Sequence, residues 1–116
     1  MMIFESIIQK YNLQPNQNLE VCDLETYAVN SERLLDKWEN RLCRGCYIDL
    51  ALIPKIWFNV IDEALDTVLE KCPEFIIYTV KIKLGGIRFQ LGNISDSVFE
   101  GLQDIEKVLY NDRFIY

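Results

Sequence analysis

The chain has 116 residues, half of them hydrophobic, which is enough for one domain whose core needs no staples. Its net charge of −6 repels phosphate backbones, disfavouring general nucleic-acid binding and suiting a basic partner. There is no histidine, which removes the commonest general base, the Ser-His and Cys-His nucleophile pairs and every His-containing zinc site.

Read in chain order, residues 3–11 (IFESIIQKY) predict a short helix with Ile3, Phe4, Ile7 and Ile8 on one side. The opening MMIFESIIQK lacks a basic n-region and carries Glu5 inside its apolar stretch, so it does not read as a signal peptide. No apolar run approaches bilayer length, and the expectation is a cytoplasmic protein with free thiols. NLQPNQN ends the first helix, and residues 19–29 fit either strand or loop. Ser31 predicts an N-cap for a helix over 31–42 carrying Leu34, Leu35, Trp38 and Leu42, with Gly45 as its stop. CYIDLAL (46–52) alternates like a short strand. Pro54 opens a helix over 54–72, with Trp57, Val60, Ile61, Ala64, Leu65, Val68 and Leu69 at helical spacing and Pro73 beyond it. A last helix over 95–110 has Val98, Phe99, Leu102, Ile105 and Leu109 as its apolar face.

Between these two helices lies TVKIKLGGIRFQLGN, residues 79–93. Paired outward from Gly85-Gly86, Leu84 meets Ile87, Lys83 meets Arg88, Ile82 meets Phe89, Lys81 meets Gln90 and Val80 meets Leu91. Side chains alternate in a strand, so Val80, Ile82, Leu84, Ile87, Phe89 and Leu91 share one face, and Thr79, Lys81, Lys83, Arg88 and Gln90 the other. The glycines therefore predict a hairpin turn rather than a phosphate-holding loop, which needs a helix after it. Lys83 opposite Arg88 is unfavourable and invites an anion above them: a carboxylate from another element, a ligand or a partner. The plain alternative is a solvated face of snorkelling side chains.

The string VKIKLGGIRFQL resembles a K-x-K-F-G-G-L-R-F signature of small uncharacterised bacterial and phage proteins, in which a Trp-containing amphipathic segment precedes the hairpin and a helix follows. Here IPKIWFNVIDEALDTVLEKC and ISDSVFEGLQDIEKVL occupy those places, so the resemblance covers residues 54–110. Leu84 stands for the usual Phe, and no Cys-rich tail follows. The resemblance implies an architecture and a prokaryotic or viral setting, with no activity and no functional residues to carry over.

Cys43-Arg44-Gly45-Cys46 is a C-x-x-C motif placed at the C-terminal end of the helix predicted over 31–42, where the dipole opposes a thiolate, so the sequence argues against a redox role. A zinc site would also need Cys22 and Cys72, without a second C-x-x-C, so free thiols are expected and no metal or cofactor. Asp62, Asp66 and Glu70 form one acid row at intervals of four, and Asp96, Glu100 and Asp104 another. They read as solvent faces or, more sharply, as a surface for a basic protein partner. The tail ends in Phe114, Ile115 and Tyr116, which could pack or dock on a second copy in a homodimer.

The expected fold is α+β: a two- or three-stranded antiparallel sheet with amphipathic helices packed on one face, in a single domain spanning 1–116. The expected function is a small acidic intracellular non-enzymatic binding or inhibitor protein of immunity or anti-defence type, acting through protein–protein contacts. The alternative is a module holding a small anion, such as a nucleotide, on Lys81, Lys83 and Arg88. An enzyme is disfavoured by the missing histidine, the lack of a nucleophile motif and the short chain.

Overall fold

A computed structural model of the chain describes residues 3–114. Along the chain it has helix α1 (Glu5–Lys10), helix α2 (Leu24–Trp38), a 3-10 turn (Glu39–Arg41), strand β1 (Leu42–Asp49), helix α3 (Lys55–Lys71), strands β2 (Ile76–Lys83) and β3 (Gly86–Gly92), helix α4 (Asp96–Val108) and a 3-10 turn (Asp112–Phe114). The fold is α+β, with a three-stranded sheet in the order β1-β2-β3. The sheet is mixed rather than wholly antiparallel: β2 and β3 form the antiparallel hairpin, while β1 runs parallel to β2. The parallel pair follows from α3, a 17-residue crossover that returns the chain to the start of the sheet.

Helix α2 begins seven residues before the Ser31 predicted as its cap. Asp23 is the cap, its carboxylate accepting from Thr26 N at 2.7 Å. Helix α2 also stops at Trp38, so Cys43 and Cys46 lie within β1 and Gly45 is not a helix stop. Pro54 is the cap of α3 rather than its first residue, and α4 starts behind Ser95, whose hydroxyl accepts from Val98 N at 3.3 Å.

The core joins the apolar face of the sheet (Ile77, Val80, Ile87 and Phe89) to α3, to Val98, Leu102 and Ile105 of α4, and to Phe4 and Ile7 at the N-terminus. Helix α3 is buried on most of its circumference, through Trp57, Phe58, Val60, Ile61, Ala64, Leu65 and Val68. It has the sheet on one side and α2 and α1 on the other. Trp38 of α2 meets Phe75 edge-on at 5.9 Å, and Lys10 of α1 reaches Glu63 at 2.6 Å. Phe114 is buried against Trp57, ring centroids 5.5 Å apart; Ile115 and Tyr116 lie outside the described residues.

The hairpin turns one residue earlier than Gly85-Gly86. Its two-residue loop is Leu84-Gly85, with φ of +51° and +84°, the pair of left-handed residues a type I′ turn requires. Lys83 pairs with Gly86, Ile82 with Ile87, Lys81 with Arg88, Val80 with Phe89 and Thr79 with Gln90. Each residue of β2 meets a partner two places from the predicted one, and a shift of two preserves the faces. The greasy and cationic sets therefore segregate as expected, although Leu84, in the turn itself, is exposed. Gly86 serves a different need: the chain leaving α4 crosses it, bridging Gly86 with Tyr110 and bringing Leu109 O within 3.4 Å of where a Cβ would sit. At the far end, Tyr78 bulges out between the Ile77–Leu91 and Thr79–Gln90 pairs.

Candidate functional site

The solvent face of the sheet carries the hairpin's polar set. Thr79, Lys81 and Lys83 come from β2, and Arg88 and Gln90 from β3; β1 adds Tyr47 beside Thr79 and Asp49 beside Lys81. Thr79 Oγ1 donates to Gln90 Oε1 at 2.7 Å. The predicted opposition of cations exists, but its members are Lys81 and Arg88 rather than Lys83 and Arg88.

Helix α4 runs along the β3 edge and turns this face into a groove. Val98, Leu102 and Ile105 point into the core, which swings Phe99, Gln103 and Glu106, at steps of four and three, toward the hairpin. Phe99, expected on the apolar face, is 54% exposed. The groove between them holds about 410 Å³, with Lys81, Lys83 and Arg88 on one wall, Phe99, Gln103 and Glu106 on the other, and Phe89 and Leu102 below. A second depression of about 470 Å³ shares Arg88, Gln103 and Glu106 and extends to Lys107 and Tyr110.

The helix is fastened where the groove needs it. Ile87 N donates to Leu109 O at 3.1 Å and Asn111 N to Gly85 O at 2.9 Å, tying the end of α4 to the turn. Buried Asn111 donates from Nδ2 to Gln17 O at 2.9 Å. Two residues beyond Ile87 along β3, Phe89 N donates to Glu106 Oε2 at 2.7 Å. A side chain and a carbonyl thus occupy donors of an edge strand that would otherwise be open to pairing. The carboxylate above the cations is therefore present: Glu106 Oε1 lies 3.9 Å from Arg88 Nη1. Burial pushes the Glu106 carboxyl above its usual range, against the opposing pull of the Phe89 amide and Arg88. The groove carries three cations and this one carboxylate. Glu106 and Gln103 were missed in the sequence because they fall between the apolar stripe and the acid row; their spacing from Phe99 was the available signal.

The two acid rows have different fates. Asp62 accepts from the Trp38 indole Nε1 at 2.8 Å, and Lys37 lies 3.0 Å from both Asp62 and Asp66, so these two are engaged between α2 and α3. Those carboxylates hold the Lys37 ammonium above its usual pKa, although burial works the other way. Glu70 is exposed. On α4, Asp96 and Glu100 are exposed and have no salt bridge to a described residue, while Asp104 lies 3.9 Å from Lys107. Cys43 and Cys46 both lie in the irregular part of β1 between Leu42 and Tyr47, Cys22 is buried and Cys72 caps α3. Among the described residues, no three His, Cys, Asp or Glu side chains are grouped as metal ligands, and no helix is long and apolar enough to cross a membrane.

No family model, no curated protein and no solved structure matches the chain.

Proposed function

We propose that this chain is a non-catalytic binding protein that holds a small anion with a flat apolar portion, for which a nucleotide is the natural probe, in the groove between the hairpin and α4. The observation that carries this reading is the meeting of Lys81, Lys83 and Arg88 with an exposed phenyl ring, Phe99, on one concavity. The cations would take the phosphate and the ring the base, with Gln90 and Gln103 at hand for polar edges. The net −6 does not forbid this, because charges beyond about 8–10 Å are largely screened at physiological salt, leaving the local cations to act. Ligand present at 100 times its Kd adds about 2.7 kcal/mol to stability. For a domain of this size that raises Tm by about 10 °C. A thermal-shift series with mononucleotides, cyclic nucleotides and inorganic phosphate tests the reading, with Lys81→Ala and Arg88→Ala abolishing the shift. No stabilisation by any of them at millimolar concentration refutes it.

A second reading, an immunity or anti-defence protein acting on a basic protein partner, is favoured by the exposed and unbridged Asp96 and Glu100. The prokaryotic or viral setting implied by the resemblance over residues 54–110 agrees with it. With a partner recovered by pull-down from the native host, Glu100→Lys should cost about 1.4 kcal/mol, a tenfold loss of affinity, at low salt. Unchanged affinity and no salt dependence would refute this second reading.

A further inference from the structure

Cys43 and Cys46 are three residues apart, a spacing that places side chains on opposite faces of a regular strand. Strand β1 is not regular there. Leu42 lies opposite Ile77, but the next pair is Tyr47 with Thr79, so five steps along β1 cover two along β2. The surplus residues loop out, and Gly45 at φ +81° reverses the chain within the loop. The excursion starts beside Cys43 and ends at Cys46, so the reversal at Gly45 folds the segment between them back on itself, and the Cys43 thiol is near enough to help raise the Cys46 pKa. Both side chains are partly exposed, and among the described residues β1 has a neighbouring strand on one side only and a Cβ on Gly45 would meet nothing within 4 Å. The loop thus has room to adjust to disulfide geometry, and an oxidant has a path to it. The sequence argument against redox chemistry, that the pair terminates a helix, does not apply, because α2 ends at Trp38.

We propose that Cys43 and Cys46 are a dithiol site that closes reversibly to a disulfide when it meets a low-molecular-weight disulfide such as oxidised glutathione. One cysteine thiolate attacks a glutathione sulfur, the glutathione S–S bond breaks and one glutathione thiolate leaves. The other cysteine gives its proton to solvent and attacks the protein sulfur of the mixed disulfide, expelling the second glutathione. Two protein thiols are oxidised and one glutathione disulfide is reduced to two glutathiones. Burial, and then the neighbouring Cys43, hold the Cys46 thiol above its ordinary pKa, so closure speeds up as pH rises. The closed ring restrains the segment leading into Tyr47 and Asp49 on the solvent face of the sheet.

The test is to incubate the folded full chain with oxidised glutathione, quench with an alkylating agent, and measure intact mass and a peptide map. With the quench made in denaturant so that buried Cys22 is reached, the expected intact mass is two hydrogens, about 2 Da, below that of the chain carrying two alkyl groups, with Cys43 joined to Cys46 and with Cys22 and Cys72 alkylated. Cys43→Ser and Cys46→Ser should each stop at the glutathione adduct that the native pair resolves. In urea, where the bulge no longer selects partners, Cys22 and Cys72 should react as well. A folded chain that stays fully reduced, keeps a stable glutathione adduct, links Cys22 or Cys72, or gives the same pattern in urea overturns the proposal.

Discussion

Glu106 offers the sharpest test of how the groove is built. Its carboxylate accepts from Phe89 N at 2.7 Å, and its side chain is 15% exposed. Glu106→Ala removes that acceptor and leaves an edge-strand N–H facing the groove. A hydrogen bond to a charged group contributes roughly 1.5–3 kcal/mol, but water entering from the groove replaces part of it, so the expected loss is about 1–2 kcal/mol. In a domain of this length that lowers Tm by about 4–8 °C. Glu106→Gln keeps an acceptor and removes a charge whose burial is unfavourable, so it should match or exceed the native stability at pH 7. The pH dependence separates the two terms. The folded-state pKa of Glu106 is raised from 4.5, so the folded protein holds this proton more tightly than the unfolded chain. Its stabilising contribution is complete below the unfolded pKa and is lost as pH rises through the raised folded value. The stability of Glu106→Gln relative to native should therefore grow in the variant's favour as pH climbs from about 4 toward 7. Urea unfolding at a series of pH values measures this. If Glu106→Gln loses as much as Glu106→Ala, or if Glu106→Ala loses nothing, Glu106 does not hold the β3 edge in the way argued.

Two further substitutions test individual assignments. Asp62→Ala strands the buried Trp38 indole N–H and should cost about 1–3 kcal/mol, whereas Asp62→Asn retains an acceptor and should lose much less. The urea midpoint by tryptophan fluorescence distinguishes the two, and equal losses would count against the hydrogen bond. Leu84→Asn places a residue tolerant of left-handed backbone at φ +51° in the turn. Relief of roughly 1 kcal/mol of strain outweighs the modest packing lost from a side chain that is 62% exposed, so a gain of about 0.5 kcal/mol is expected. A lower urea midpoint would show that Leu84 packs in the groove more than its exposure suggests.

The hairpin shows what was legible in the chain and what was not. Alternation with a period of two put Val80, Ile82, Ile87 and Phe89 on one face and Lys81, Lys83 and Arg88 on the other, because that depends only on strand geometry. The same short-range logic located α3 and α4, whose apolar residues recur at three and four. The turn itself was displaced by one residue, because two adjacent glycines satisfy two different demands. Gly85 supplies a left-handed turn, and Gly86 lets the segment around Tyr110 pass close, which is visible only once the chain end is in place. The start of α2 was misplaced because Asp23 and Ser31 are both good caps; the turns added before Ser31 place Tyr27 against Phe58 and bury Asn30, whose Nδ2 donates to Thr26 O.

Sequence alone therefore determined the local elements, their inward and outward faces and the cationic stretch at 79–91, since these follow from backbone period and residue size within a few positions. Tertiary structure decided the parallel placement of β1, the engagement of Asp62 and Asp66 by Lys37, the seating of Glu106 on the edge of β3 and the bulge of β1 that holds Cys43 and Cys46. Each of these depends on where a crossover, a bulge or a helix end comes to rest against a surface built elsewhere in the fold. Periodicity within one segment carries no record of that position.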